Sequence, residues 1–214
     1  MKINMKIVLL IALAFLLIVA AVLIEININR SINEESADNI VKQTSDLYSA
    51  GKKDESVNIL EKYHNDHLNE NAISYQLARF YFQTKKFDNF ISLVQSTNLE
   101  SPTISNMLAQ VNLEKGEVDK AIEIYQKMMA QYPNSLKIYI NLASIYQSKS
   151  DFEKALSVIN QGLKGNPNSV VLILSQSSLY LKMGQKNEAL KSAERVLEIE
   201  KDNIQAKSII AGLK

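Results

Sequence analysis

A 34-residue internal period constrains this chain more than any other feature. Displaced against itself by 34 residues, the sequence aligns Ala109, Ala143, Ser177 and Ala211 in one column and Ala121, Ala155 and Ala189 in another. Gly116, Ser150 and Gly184 share the spacing, as do Tyr146 with Tyr180 and Pro133 with Pro167, each Pro opening a Pro-Asn-Ser tripeptide. Several independent columns with one period mark stacked supersecondary units, none of which buries its apolar face alone. Within a unit the apolar residues keep helical spacing over Thr103–Lys115 and again over Asp119–Tyr132. Gly116 permits the tight turn between these helices. The small residues fall where antiparallel helices approach closely. Asp119 and Glu153 sit near the positive ends of second helices, and Pro133 and Pro167 stop those helices. The chain is therefore expected to be all-α.

These columns resemble the tetratricopeptide repeat family, whose 34-residue motif carries small residues at positions 8, 20 and 27, aromatics near 11 and 24, and Pro at 32. Counted from Pro102, the matching residues are Leu108-Ala109, Ala121, Tyr125, Met128 and Pro133; counted from Leu136 they are Tyr139, Leu142-Ala143, Tyr146, Ala155 and Pro167, with Ile159 and Gly162 at positions 24 and 27. The repeat from Val170 keeps Tyr180, Gly184, Ala189 and Ala193, with Lys201 in place of Pro. Two more divergent units precede. One, with Leu77-Ala78, Tyr81 and Val94, is about three residues short and has Phe90 at position 20. The other carries Leu47, Gly51, Leu60 and Tyr63, with Ser56 at position 20 and Leu68 at 32. The resemblance implies an α-solenoid over 37–214, with repeats at about 37–70, 71–101, 102–135, 136–169 and 170–203 and a capping helix at 204–214.

Before the repeats, Ile7 to Ile24 is a run of eighteen residues without a polar side chain. As a helix it measures roughly 27 Å, close to the hydrocarbon thickness of a bilayer. A cleaved signal has a shorter apolar stretch ending in a small-x-small site; here Ala20-Ala21 leads into Val22-Leu23-Ile24. The run has no polar face, unlike a soluble amphipathic helix. Residues 7–26 are accordingly expected to form one transmembrane signal-anchor helix in contact with lipid. Residues 1–6 form a cytoplasmic segment and 27–36 a polar linker. Lys2 and Lys6 precede the span, whereas Arg30 is followed by Glu34, Glu35 and Asp38. By the positive-inside rule the amino terminus is cytoplasmic and the repeats lie outside, which in a bacterium is the periplasmic side of the inner membrane.

The remaining residues exclude most chemistry. There is no Cys, which removes disulfides, thiolate zinc sites and thiol catalysis. Twenty-four basic residues against 23 acidic give a net charge of +1, without the basic excess of a nucleic-acid binder. No Gly-rich phosphate loop or G-x-S-x-G elbow occurs. His64 and His67 are spaced to share a helix face, and Asp66 between them could join, but no Cys, third His or metal-spaced acidic motif supports a metal site. No enzyme activity, metal or cofactor is expected.

In the tetratricopeptide family the first helix of each pair lines a concave groove. Carried over by register, that groove takes Tyr75, Gln76, Arg79, Phe82 and Gln83 from the second repeat. The third supplies Thr103, Asn106, Met107, Gln110 and Glu114, and the fourth Lys137, Asn141, Ser144, Gln147 and Ser148. The fifth gives Ser175, Ser178, Leu181 and Lys182. Amides that both donate and accept suit the backbone of an extended segment, and Tyr75 and Phe82 offer aromatic anchors. The family's carboxylate clamp is not kept. Asn141 fits its middle site, but Asn106, Gln110, Val171 and Ser175 stand where Lys, Asn and two basic residues belong. The expected function is a membrane-anchored scaffold or adaptor for other proteins in a cell-envelope complex. The alternatives are a secreted binding protein released by signal cleavage and an accessory subunit of a membrane enzyme.

Overall fold

The structure is a computed structural model that describes residues 15–24, 36–68 and 70–213. Residues 15–24 are helical (α1) and expose Phe15, Leu16, Leu17, Ile18, Leu23 and Ile24. Among the described residues no helix is long and apolar enough to cross a membrane. Residues 7–14 and 25–26 of the expected span, and nearly all of the expected linker, lie outside the described residues. The rest is all-α and divides into two compact units, one ending at Glu100 and one beginning at Ser101.

The first unit holds two helical hairpins, α2 (Ala37–Ser49) with α3 (Lys53–Asp66) and α4 (Asn71–Gln83) with α5 (Phe87–Thr97). Its core gathers Ile40, Val57, Leu60, Ile73, Leu77 and Phe90, all at or near zero exposure. The rings of Tyr48 and Phe80 stack across the hairpins at 4.1 Å. The expected three-residue shortening has a definite place. Helix α5 has 11 residues where α3 has 14, and it ends on Asn98 in the left-handed region (φ 49°). Phe90 fills the position that is small in other repeats, and the backbones of α4 and α5 approach closely at fewer points than those of the other hairpins.

The second unit holds three hairpins and a final helix: α6 (Pro102–Glu114) with α7 (Val118–Gln131), α8 (Leu136–Ser148) with α9 (Phe152–Gly165), α10 (Val170–Lys182) with α11 (Lys186–Ile199), and α12 (Ile204–Leu213). Ala109, Ala121, Ala143, Ala155, Ser177 and Ala189 are all buried. Their columns face each other across the hairpins. Where a hydroxyl replaces a methyl, the partner helix satisfies it: Ser177 Oγ donates to Ala189 O (2.7 Å), and in the first unit Ser56 Oγ donates to Thr44 O (2.7 Å). A large side chain at these positions would force the helices apart. Helix α12 packs on α11 and buries Ala206, as a cap should.

The turn inside every hairpin places one residue at positive φ: Gly51 (86°), Lys85 (58°), Gly116 (76°), Ser150 (58°) and Gly184 (76°). A side chain in this region costs roughly 1–2 kcal/mol. Ser150→Gly is expected to stabilise the second unit by about 0.5–1 kcal/mol, the relief of strain exceeding the added freedom of the unfolded chain. A thermal melt would then shift upward by a few degrees, and a downward shift would contradict this account.

Candidate functional site

In the second unit, three side chains from α6, α7 and α8 form a closed triangle of hydrogen bonds. Tyr125 O–H donates to Asn106 Oδ1 (3.0 Å). Asn141 Nδ2 donates to the same Asn106 Oδ1 (3.0 Å) and to Tyr125 Oη (3.1 Å). Tyr125 rises from α7 with 1 % exposure, and burial pushes its hydroxyl pKa up, the Asn141 bond opposing. The triangle fixes both amides while leaving half of each unused. Among the described residues, the Asn106 –NH2 has no acceptor and the Asn141 carbonyl oxygen has no donor. A donor and an acceptor thus stand side by side on adjacent helices.

Beside the triangle lies a cleft of about 310 Å³ lined by Pro102, Thr103, Asn106, Met128, Tyr132, Ser135, Lys137 and Ile138. Three of these, Thr103, Asn106 and Lys137, are residues the register places on the groove. The others, together with Tyr125, were not legible in the register of the first helices. Met128 and Tyr132 project from the end of α7, and Ser135 precedes α8 as its N-cap residue. Among the lining side chains Lys137 carries the only charge.

Further along this unit a second cleft of about 270 Å³ brings Gln147, Ser175 and Ser178 together with Val171, Leu174 and Gln205. Lys182 Nζ donates to Gln147 Oε1 (3.0 Å) and stands 5.9 Å from the Phe152 ring centroid. Gln110 is half-buried and Ser144 exposed.

The first unit treats its expected groove residues differently. Gln76 is only 4 % exposed, which takes it off an open face: its Nε2 donates to Ser45 Oγ (2.7 Å), and its Oε1 accepts from Arg79 Nη1 (3.1 Å). The Phe82 ring lies 6.2 Å from that of Phe90 and supports the α4–α5 core. Tyr75 and Arg79 are half-buried. The two histidines are engaged separately. His64 Nδ1 lies 3.2 Å from Ser74 Oγ, and burial lowers its pKa. His67 stacks on Tyr63 (4.2 Å) and its Nδ1 donates to Tyr63 O (3.1 Å). Among the described residues no group of three or more His, Asp or Glu is placed to hold a metal ion.

Comparison with known proteins locates the repeats. Residues 112–176 and 172–203 match models of the tetratricopeptide repeat. The chain thus carries tetratricopeptide repeats in the part where the columns are most regular. Among solved structures, MamA is similar at 19 % identity and a TM-score of 0.63, over 77 % of this chain and 92 % of that one. YrrB, described as a TPR protein with an unusual peptide-binding site, is similar at 14 % identity and a TM-score of 0.61, over 84 % and 95 %. At these identities the likeness establishes the fold. Among curated protein sequences none matches.

Proposed function

We propose that this chain is a non-catalytic, membrane-anchored interaction scaffold whose second unit holds an extended segment of a partner protein. The observation that carries this is the pair of unused amide groups fixed by the triangle. An Asn106 donor and an Asn141 acceptor are presented together, as the C=O and N–H of one extended peptide would require. Prior fixation by Tyr125 lowers the ordering cost of binding. The cleft next to it supplies an apolar wall in Met128 and Ile138 and a single cation in Lys137. A fold of this kind carries peptide binding in YrrB, which supports the reading without naming a partner.

The anchor rests on the apolar run of residues 7–24, and the exposed side chains of α1 are of the kind that lipid covers. Charge bias places the repeats outside the cytoplasm, and assembly or maintenance of a cell-envelope complex fits that address. The measured mass of the mature protein tests the anchor: a new amino terminus near Ala20 or Ala21 would make this a released binding protein instead. Protease access to the repeats in spheroplasts tests the orientation.

A photo-crosslinker placed at Lys137 should capture the partner. Against the captured partner, Asn106→Ala with Asn141→Ala should weaken binding by about 10- to 100-fold, the worth of two hydrogen bonds. Unchanged affinity in a protein shown to be folded by circular dichroism would remove the peptide-backbone reading.

A further inference from the structure

The first unit contains a cleft of about 510 Å³ that the peptide reading does not use. It lies between the second helices α3 and α5, with Leu77 and Tyr81 of α4 behind it. Residues 77 and 81 are one helical turn apart, whereas Tyr75, Arg79 and Phe82 lie on the other side of α4. The central charge is Glu61. Its Oε1 accepts the Tyr81 hydroxyl at 2.7 Å, which holds the carboxylate in place against a side chain that is 6 % exposed. No Lys or Arg is among the described residues that line the cleft. His64 is buried there and its pKa is lowered, so it supplies no cation at neutral pH.

The repeats themselves indicate what is missing. A displacement of 65 residues, one full and one shortened repeat, carries Tyr81 onto Tyr146, Glu61 onto Gln126 and Asn89 onto Lys154. In the second unit the Lys154 ammonium sits 5.7 Å from the Tyr146 ring centroid and pairs with Asp151 (2.8 Å). The residue corresponding to Glu61 is there the neutral Gln126, 3.4 Å from Tyr146 Oη. The second unit thus places its own cation, held by Asp151, over the tyrosine and has a neutral amide at the position of Glu61. The first unit has the carboxylate and, in Asn89, a neutral side chain that hydrogen-bonds the Tyr81 hydroxyl. Ser92 and Ser96, both short, leave the entrance open.

From this exchange we infer that the α3–α5 cleft is a binding site for a primary alkylammonium group, seated between the Glu61 carboxylate and the Tyr81 ring, with its aliphatic stem along Leu77 and Leu93. A carboxylate contact and a cation–π contact reinforce each other on one ammonium. The group can be a lysine side chain of another protein or a free diamine. This site is in a different unit from the Asn106–Asn141 pair, and either assignment can fail without the other.

The test is titration of the full chain, followed by NMR shifts of residues 61, 81 and 89, with three probes. These are N-acetyl-lysine methylamide, 1,5-diaminopentane, and the lysine probe acetylated on its side-chain nitrogen. Saturable shifts are expected with one or both amines, and the stronger of the two identifies the source. The acetylated probe should bind at least tenfold more weakly. Glu61→Gln keeps an acceptor for Tyr81 and should also weaken amine binding at least tenfold. Asn89→Lys alters an exposed residue and puts a lysine where the second unit has Lys154; Lys86 stands where Asp151 pairs that lysine, so Glu61 is the carboxylate left to receive it. It should exclude the amines by occupying the site itself. Absence of saturable shifts with both amines, equal binding of the acetylated probe, or wild-type binding by either folded variant overturns the assignment.

Discussion

Phe90→Ala should lower the stability of the first unit by about 3–5 kcal/mol, a large share of the 5–15 kcal/mol typical of a whole domain. Phe90 is fully buried, and its ring is braced by Phe82 at 6.2 Å. Alanine is what the equivalent positions Ala121, Ala155 and Ala189 already have, so the substitution restores the motif. The packing nevertheless opposes it. The α4–α5 hairpin is held around the ring with fewer close backbone approaches than the others, and α5 lacks the last turn that would help the helices close again. The cavity should therefore persist and the full cost be felt. Hydrogen exchange would show it as lost amide protection in α4 and α5, with the second unit unchanged. A cost below about 1 kcal/mol would mean that the hairpin closes to the spacing of the others, and the wedge account would fail.

The contrast between Phe90 and the alanines shows what sequence could and could not convey. Small residues at helix contacts and left-handed turns are demands of the backbone, and they recur with the period. It located the turn at Gly116 and, by column, at Ser150 and Gly184, but Lys85 gave no sign of its positive φ because nothing in a lysine marks that conformation. It detected a unit about three residues short without showing that the loss lies in the last turn of α5. Register put Asn106 and Asn141 on one face, and they meet there. It also put Gln76 on that face, where the structure turns the amide inward to Ser45. Tyr125 stands at the position that Ile159 takes in the next repeat, and it reads as core. Its ring is core, but its hydroxyl reaches the asparagines, and the reach of a polar tip is not encoded in periodicity.

Tyr125 is the position where the two roles can be separated. Tyr125→Ala removes a fully buried ring and should cost about 3–5 kcal/mol. Tyr125→Phe keeps the ring and removes one donated and one accepted hydrogen bond, so about 1–2 kcal/mol is expected. Its effect on partner binding should be out of proportion to that loss. Without the hydroxyl, Asn141 keeps only its bond to Asn106, and both amides regain rotation that binding must then remove. Affinity should fall severalfold or more at a temperature where the variant is still folded. Alkaline pH reads out the burial of the same hydroxyl. The Tyr125 pKa is raised in the folded protein, so above about pH 10 the unfolded chain loses this proton while the native state keeps it, and stability falls as pH rises. Tyr48 and Tyr81 are shifted the same way, so Tyr125→Phe should reduce this alkaline slope without abolishing it. If the folded variant instead matched the wild type in partner affinity, Tyr125 would be a core residue only, and the triangle would not be what prepares the site.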